Sequence, residues 1–343
     1  MTAALRNRLV VGDALEKLRE LPDFSVDMVL TSPPYFRLRN YDAPGQIGLE
    51  AHVDDWVNRL SVISDEIRRA LVPTGTYWLN LGDTYSTHRS QGAPRKSLLM
   101  APERLALQLQ RSGWIVRNKI IWAKPNPMPV SVRDRLACTY EFIYVLAKQP
   151  DYYFDLDAIR APHRSGPSKG HAIKQRSTDD WRGPNSDSAV GLDVLKREGR
   201  VGHPLGKNPG DVWQLATANF RGAHHAVFPV HLASRAIQAG CPELRCTSCR
   251  RPWRRRVIRL LGGKAMRTAA SATCHCDAPN EPGLVLDPFI GSGTTAVAAE
   301  QFSRTWCGIE LNPDFARLAI ERIETARVNR HQGEPRASPP AAA

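Results

Sequence analysis

The stretch GLVLDPFIGSGTTAVAAE, residues 283–300, decides how the rest of the chain is interpreted. Its apolar start predicts a strand that ends at Asp287, and a loop with two glycines leads from there into a helix. Glycines allow a backbone to approach a ligand closely, and a helix N-terminus offers free N–H groups. Glu310 ends the next predicted strand, where an acid can accept the hydroxyl protons of a ribose. The stretch is therefore a candidate binding loop for a ligand that contains a ribose.

Several roles compete for this loop. A P-loop requires a lysine after the last glycine, but Thr294 and Thr295 follow Gly293, so this class is rejected. A dinucleotide loop requires G-x-G-x-x-G, and only G-x-G is present. S-adenosylmethionine carries a ribose but no pyrophosphate, so a shorter loop with an additional acid such as Asp287 suits it. A structural glycine turn is the remaining alternative.

The order of strand and helix signals predicts an α/β fold. Over residues 1–150, and again over 211–240 and 283–328, apolar strands alternate with amphipathic helices. Such alternation predicts a mainly parallel sheet that is covered on both faces. Residues 151–210 are mostly polar and rich in Gly, Pro and Ser, which predicts a partly flexible insertion, and residues 329–343 predict a disordered tail.

The charge balance constrains the partners. The chain has 47 Lys and Arg against 34 Asp and Glu, a net charge of +13. This excess predicts a polyanionic partner, nucleic acid before an anionic membrane, although a merely basic chain is the alternative. We find neither a long apolar run nor a signal-peptide pattern, so we expect a cytoplasmic protein without a membrane partner. The seven cysteines are then expected to be thiols or metal ligands, with Cys138 and Cys307 buried in strands.

A second unusual stretch, VDMVLTSPPYFRLRNY, covers residues 26–41. An apolar strand ends there in a rigid corner of two polar residues, two prolines and an aromatic ring, Thr31-Ser32-Pro33-Pro34-Tyr35. Such a corner is either a simple turn or a small pocket that grips a flat, polar group.

The two stretches together resemble a known family. DPFIGSGTT and TSPPY are similar to the paired motifs of the amino-group DNA methyltransferases, which transfer a methyl group from S-adenosylmethionine to an exocyclic nitrogen. TSPPY comes first, a variable region follows and the cofactor loop lies near the C-terminus, which resembles the permuted β group. Similarity in GDALEKLRELPDFSVDMVLTSPPY, NPGDVWQL and FRGAHHAVFPVHLASRAIQAGCPE extends the resemblance over most of residues 5–325. It implies a Rossmann-like, S-adenosylmethionine-dependent methyltransferase fold.

The resemblance also implies roles for individual residues. Those expected to bind the cofactor are Asp13, Thr31, Phe228, Pro229, Asp287, Pro288, Phe289, Gly291, Ser292, Gly293, Thr294 and Glu310. Among them, Glu310 takes the ribose hydroxyls, Asp13 lies where the family contacts adenine, and Phe228 belongs to a block near the methionine end. Asp13 as a turn residue and Phe228 as a core aromatic are the alternatives. The residues expected at the target base are Ser32, Pro33, Pro34 and Tyr35.

The proline corner suits methylation of an amino group. The nitrogen of such a group is a poor nucleophile because its lone pair is delocalised into the ring. Hydrogen bonds from its two N–H groups to Ser32 Oγ and to the Pro33 carbonyl would favour a more tetrahedral nitrogen and accommodate the developing positive charge. Tyr35 can stack on a base that has been flipped out of the duplex.

Ser32 also bears on the choice of base. Adenine-specific members of the family usually carry Asp or Asn at this position, so a serine favours cytosine N4, with adenine N6 as the alternative. A C5-cytosine enzyme is disfavoured because Cys241 precedes Pro242 instead of following a proline. More distant alternatives are an RNA or protein N-methyltransferase and a catalytically silent DNA-binding module. We expect double-stranded DNA as the partner and residues 151–210 as the target-recognition region, with a cognate restriction endonuclease and a homodimer as further candidates.

The segment 241–282 is longer than the corresponding part of the simpler family pattern. It carries four cysteines in two close pairs, Cys246, Cys249, Cys274 and Cys276. The spacing predicts a small insertion with structural zinc, in which His275 or Cys241 could replace one ligand, and reduced thiols are the alternative. RRPWRRR at 250–256 supplies five arginines suited to phosphate contacts or, alternatively, to a solvated charged turn.

Overall fold

The computed structural model describes residues 6–163, 203–217, 228–259 and 265–331. The strands within these ranges are β1 (Arg8–Val11), β2 (Val26–Thr31), β3 (Leu71–Leu81), β4 (Ile115–Ala123), β5 (Tyr140–Ala147), β6 (Val212–Gln214), β7 (Leu244–Cys246), β8 (Val257–Arg259), β9 (Ala265–Arg267), β10 (Asn280–Pro282), β11 (Leu284–Asp287) and β12 (Thr305–Glu310). The α-helices are α1 (Ala14–Arg19), α2 (Val53–Ala70), α3 (Ala101–Arg111), α4 (Val230–Gly240), α5 (Thr294–Gln301) and α6 (Pro313–His331). The predicted alternation of strands and helices is confirmed.

Eight of these strands form one sheet in the order β1-β12-β11-β2-β3-β5-β4-β6. Every neighbouring pair from β1 to β3 is parallel, as is the pair β4 and β6. β5 runs antiparallel to both β3 and β4, a reversal that the sequence analysis did not predict. No helix lies in the connection 124–139 between β4 and β5, so the chain turns back beside β4 without a crossover. The expectation of a mainly parallel sheet is confirmed.

The two faces of the sheet bury separate apolar clusters. Because side chains alternate along a strand, neighbouring residues of β2 face opposite sides. Val29 packs in the cluster that contains Trp56 of α2. Leu30 packs in the other cluster, with Leu232 of α4 and Ala296 of α5. Helices therefore cover both faces, and the fold is a Rossmann-like α/β fold.

The parallel strands place four predicted site residues at one edge. β1, β12, β11 and β2 are neighbours that run in the same direction, so their carboxyl ends lie together. Asp13 lies just beyond the end of β1, and Glu310, Asp287 and Thr31 are the last residues of β12, β11 and β2. Ligands of open α/β sheets bind at this edge.

Some expectations need correction or fall outside the described ranges. Cys138 was predicted inside a strand, but it is exposed and lies before β5 begins at Tyr140. Strand pairing ends there because β4 stops at Ala123. Cys307 is buried in β12 as predicted. α6 extends to His331, beyond the predicted start of the tail at 329, and residues 332–343 and 164–202 lie outside the described part of the chain.

The helices of the described residues are all too short or too polar to cross a membrane.

Candidate active site

Thr31 and Asp287 connect the two motifs. They end adjacent parallel strands, and Thr31 Oγ1 donates a hydrogen bond of 2.6 Å to Asp287 Oδ1. Asp287 Oδ1 also accepts from the backbone N–H of Phe289, and Oδ2 accepts from Thr295 Oγ1 at 2.6 Å. The proline corner that follows Thr31 and the glycine loop that follows Asp287 therefore start from one hydrogen-bonded point.

The Asp287 carboxyl group is almost completely buried, with 1% of the residue exposed. Burial raises its pKa to about 6, although the hydrogen bonds from Thr295, Thr31 and Phe289 oppose the shift. A negative charge at this point is therefore costly, and a nearby positive charge would stabilise it.

The glycine loop lies directly against the end of β12. Gly293 precedes α5 with a φ of 82°, a conformation in which a side chain would be strained. The N–H of Ile290 donates to the carbonyl of Ile309 at 3.0 Å, and the N–H of Gly291 donates to Glu310 Oε2 at 2.9 Å. The loop and the acid at the end of β12 are thus held in one arrangement.

Arg322 of α6 braces this loop, a role that the sequence analysis missed. Its Nη1 atom donates to the Ser292 carbonyl, to Ser292 Oγ and to Thr294 Oγ1, at distances from 2.8 to 3.1 Å. The side chain reaches the loop from a helix that lies 28 positions or more further along the chain. No local motif marks such a contact.

Glu310 and Asp13 lie at the ends of neighbouring strands but differ in their hydrogen bonds. Each carboxylate oxygen of Glu310 accepts one backbone N–H, from Gly291 and from Asn312, and burial raises the pKa of this group. A carboxylate oxygen has a second lone pair, so each can accept a further hydrogen bond. Asp13 instead caps α1, where Oδ1 accepts from the N–H groups of Leu15 and Glu16. Asp13 thus has the local capping role that was its alternative, and its contact with the cofactor stays a prediction.

Phe228 and Pro229 lie at the start of α4. Cys241, which follows the opposite end of this helix, lies against Gly283 just before β11 begins, where a β-carbon added to Gly283 would be 2.8 Å from Cys241 Sγ. α4 therefore runs against the strands, and its first residues point toward the carboxyl edge. Phe228 is also a buried member of an apolar cluster, as its alternative stated.

The proline corner is held by hydrogen bonds to its backbone. Trp56 Nε1 donates to the Pro34 carbonyl at 2.9 Å, and Thr84 Oγ1 donates to the Phe36 carbonyl at 3.0 Å. Within the described ranges we find no donor to the carbonyl of Pro33. That oxygen therefore remains able to accept a hydrogen bond from a ligand.

A chain of hydrogen bonds fixes the proton of Ser32. Tyr35 OH donates to Glu141 Oε2 at 2.7 Å, and it accepts from Asn80 Nδ2 at 2.6 Å. Because the phenol proton is used on Glu141, the contact of 2.9 Å between Tyr35 OH and Ser32 Oγ requires the serine to donate. The lone pairs of Ser32 Oγ are then left for an N–H group of a ligand. Lys124 Nζ donates to the other oxygen of Glu141 at 2.5 Å.

The surroundings of Tyr35 keep its hydroxyl group protonated and its ring in place. Burial, followed by the charge of Glu141, raises the pKa of this phenol well above its usual value. A β-carbon placed at Gly82 would lie 2.7 Å from the ring carbon Cε2 of Tyr35, so only glycine leaves room for the ring. Gly82 and Glu141 also line a cavity of about 240 Å³ beside the corner. Stacking of Tyr35 on a base stays a prediction.

The predicted phosphate-contact segment 250–256 is largely paired within the protein. Arg250 pairs with Glu281, Arg255 pairs with Glu243, and Arg254 lies over the ring of Tyr153. These contacts favour the charged-turn alternative for the three arginines. The four predicted zinc ligands, Cys246, Cys249, Cys274 and Cys276, come together in one cluster.

Comparison with known proteins places these features in a family. The model of the DNA methylase family matches residues 26–321. Type II methyltransferase M.SmaI of Serratia marcescens is 34% identical, over 92% of this chain and 90% of its own. M.Cfr9I of Citrobacter freundii is 33% identical, over 94% of this chain and 89% of its own.

Two solved structures share the fold. The cytosine-N4-specific PvuII DNA methyltransferase has a TM-score of 0.56 at 18% identity, covering 96% of this chain and 94% of its own. A Thermus thermophilus protein solved with S-adenosyl-L-methionine has a TM-score of 0.51 at 23% identity, covering 93% and 95%. The match to the family over most of its length shows that this chain belongs to the N6/N4 DNA methylase family.

Proposed function

We propose that this protein transfers the methyl group of S-adenosylmethionine to an exocyclic amino nitrogen of a base flipped out of duplex DNA. The observation that carries the proposal is the hydrogen bond between Thr31 and Asp287, which joins the ends of β2 and β11. The proline corner, where Ser32 Oγ and the Pro33 carbonyl can accept hydrogen bonds, therefore lies beside the glycine loop with its two acids. If the nucleophile and the methyl donor are both held there, little further translational and rotational entropy has to be lost to reach the transition state.

The acids around the glycine loop fit S-adenosylmethionine. This molecule is positively charged at its sulfonium and its ammonium group, and Asp287 is a buried carboxyl group that a cation would stabilise. Glu310 can still accept hydrogen bonds from the two ribose hydroxyl groups. When bound, S-adenosylmethionine supplies the electrophilic methyl group. The remaining residues that the resemblance assigns to this ligand are proposed to line it, with Arg322 holding the loop closed around them.

The proline corner would activate the amino group. Ser32 Oγ, whose own proton is directed to Tyr35, accepts one N–H, and the Pro33 carbonyl accepts the other. Both acceptors are fixed before the base arrives, so they stabilise the developing positive charge without reorganisation. Removing one preorganised hydrogen bond of this kind costs about 100- to 1000-fold in rate.

We propose cytosine N4 as the target atom because a serine stands at position 32. A neutral hydroxyl accepts from the amino group without adding a charge, whereas the resemblance associates adenine-specific members with Asp or Asn there. Adenine N6 is the alternative. Residues 151–210 are proposed to recognise the target sequence.

The basic net charge supports duplex DNA as the partner. The relatives are named Type II methyltransferases, so we propose site-specific methylation in a restriction–modification context. A cognate endonuclease and a homodimer stay predictions.

Methylation of purified nucleic acid tests the proposal. The full chain is incubated with S-adenosylmethionine and duplex DNA, and the digested nucleosides are separated and identified by mass spectrometry. We expect N4-methylcytosine. N6-methyladenine would reverse the choice of base, methylation of RNA in place of DNA would reverse the choice of partner, and no methylation of either would refute the function. Ser32→Ala is the control for trace activity from a contaminating enzyme.

A further inference from the structure

The cysteine-rich insertion is the chemically distinctive part of the molecule that methyl transfer does not use. β7 and β10 pair in an antiparallel ribbon, in which Cys246 lies opposite Asn280. The sulfur atoms of Cys246, Cys249, Cys274 and Cys276 all lie within 4.8 Å of one another. Four thiolates around a tetrahedral zinc ion lie about 3.8 Å apart, given zinc–sulfur bonds of about 2.3 Å. A small contraction of the cluster would therefore suffice to bind the ion.

The backbone around the first cysteine pair has the shape of a metal-binding turn. The N–H groups of Ser248 and Cys249 donate to the sulfur of Cys246, and the N–H of Arg250 donates to the Cys246 carbonyl at 3.1 Å. Arg250, the next residue, has a φ of 61°, a left-handed conformation that costs energy for a residue with a side chain. A ligand that needs this tight turn gives the strain a physical reason.

The other two candidate ligands do not join the cluster. Cys241 is buried in an apolar cluster, where its thiol donates to the Pro242 carbonyl at 3.7 Å. Burial raises the pKa of this thiol. His275 is exposed and lies outside the group of four sulfurs. The ligand set is therefore four thiols.

In the described part of the insertion, the ribbon of β8 and β9 leaves its apolar side chains exposed. Ile258 of β8 and Met266 of β9 pair in a two-stranded ribbon and are each more than 40% exposed. Two-stranded ribbons are at best marginally stable alone. A metal ion commonly replaces the hydrophobic core in segments of this size.

The cluster is linked to the sheet through Arg245, the residue before Cys246. Arg245 is 1% exposed, and its guanidinium donates to Asp27 Oδ2 at 2.6 Å, to the Ser25 carbonyl at 2.8 Å and to Glu281 at 2.9 Å. Asp27 Oδ2 also accepts the N–H of Leu284 at 2.7 Å. The insertion thus fastens the first part of β2 to the start of β11. These are the strands whose opposite ends carry the proline corner and the glycine loop.

We propose that Cys246, Cys249, Cys274 and Cys276 bind one structural zinc ion, which orders the β7–β10 ribbon and so keeps Arg245 on Asp27. The ion lies toward the amino edge of the sheet, opposite the candidate active site, because Arg245 contacts Ser25 just before β2. Its role is to support the two strands, and it takes no part in methyl transfer.

Metal analysis of the purified full chain tests the binding site. Protein purified under reducing conditions without chelator is expected to hold about one equivalent of zinc. Cys249→Ser and Cys276→Ser should lose the ion, whereas Cys138→Ser, an exposed cysteine outside the cluster, should keep it. The proposal would be overturned if the wild-type protein held no metal, whether its seven cysteines titrate as thiols or the cluster contains disulfides. Bound iron in place of zinc would overturn it as well.

Cobalt substitution gives a readout that does not depend on the folding of variants. Wild-type protein exchanged with cobalt should show the visible absorption and the sulfur-to-cobalt charge transfer of a tetrahedral tetrathiolate site. Removal of the ion with a chelator should lower the melting temperature of the wild type and have little further effect on Arg245→Met, since both changes break the same link. A spectrum of octahedral cobalt would overturn the ligand set, and equal losses in both proteins would overturn the link to Arg245.

Discussion

Replacing Asp287 by asparagine should make the ligand-free protein more stable at neutral pH. The carboxyl group is buried, and its pKa is raised from 3.8 to about 6, mainly by burial. Asparagine keeps an oxygen for Thr31 and for the Phe289 N–H. Its amide would donate to Thr295 Oγ1, whose own proton can turn to the Leu30 carbonyl, 3.5 Å away. The change removes a costly charge and leaves the surrounding hydrogen bonds largely intact.

The size of the effect follows from linkage between protonation and folding. Between about pH 4 and pH 6 the folded protein retains the Asp287 proton while the unfolded chain loses it, so the unfolding free energy of the wild type falls as pH rises. A shift of about two pKa units corresponds to about 3 kcal/mol when complete. Between about pH 4.5 and pH 7.5 the advantage of Asp287→Asn over the wild type should grow by about 2 kcal/mol.

Urea denaturation of both proteins at these two pH values measures the difference. Asp65→Asn, a change on the exposed side of α2, is the control for the loss of one carboxylate. The same Asp287→Asn variant should bind S-adenosylmethionine much more weakly in calorimetry, because the positively charged ligand loses its buried counter-charge. A variant that is less stable than the wild type by the same amount at both pH values would refute the electrostatic reasoning.

Three further predictions concern other parts of the molecule. Ser32→Ala should lower kcat for methyl transfer about 100- to 1000-fold and leave the affinity for S-adenosylmethionine unchanged, which single-turnover kinetics and calorimetry would check. Glu141→Gln should weaken the anchor of Tyr35 and lower kcat about 10-fold, because a charged acceptor is replaced by a neutral one; an unchanged kcat would remove the hydrogen-bond chain from the mechanism. Arg245→Met leaves the carboxylate of Asp27 buried without its ion-pair partner, while Glu281 keeps Arg250. The change should cost about 3–5 kcal/mol in thermal or chemical unfolding, against almost no loss for Arg111→Met on the exposed surface of α3.

The features that the sequence predicted are those with local signals. The apolar run before Thr31 and the glycine loop after Asp287 each mark a strand end, and parallel strands bring such ends to one edge. Apolar residues at helical spacing in α2, Trp56 among them, form the buried side of that helix, but this spacing gives no sign of the bond from the Trp56 indole to the Pro34 carbonyl. The cysteine spacing predicted a cluster, and the four sulfurs do converge.

The features that the sequence did not predict depend on long-range packing. Glu141 is the second residue of an antiparallel strand, so it reaches the proline corner from a direction that an all-parallel sheet would not allow. Asn80 meets Tyr35 only because β3 lies beside β2. Arg245 looked like one arginine among many in a basic segment, and its burial against Asp27 becomes visible only once the insertion is folded onto the sheet. A polar residue whose role is to hydrogen-bond to a residue distant in the sequence is not marked by any local sequence motif.

The most direct test is a crystal structure of the protein with S-adenosylmethionine bound. We expect the ligand at the carboxyl edge of the sheet, with its ribose hydroxyls on Glu310, its charged end near Asp287, and its methyl group directed at the space before Ser32 Oγ and the Pro33 carbonyl. A ligand bound elsewhere, or one whose methyl group points away from that corner, would contradict the account.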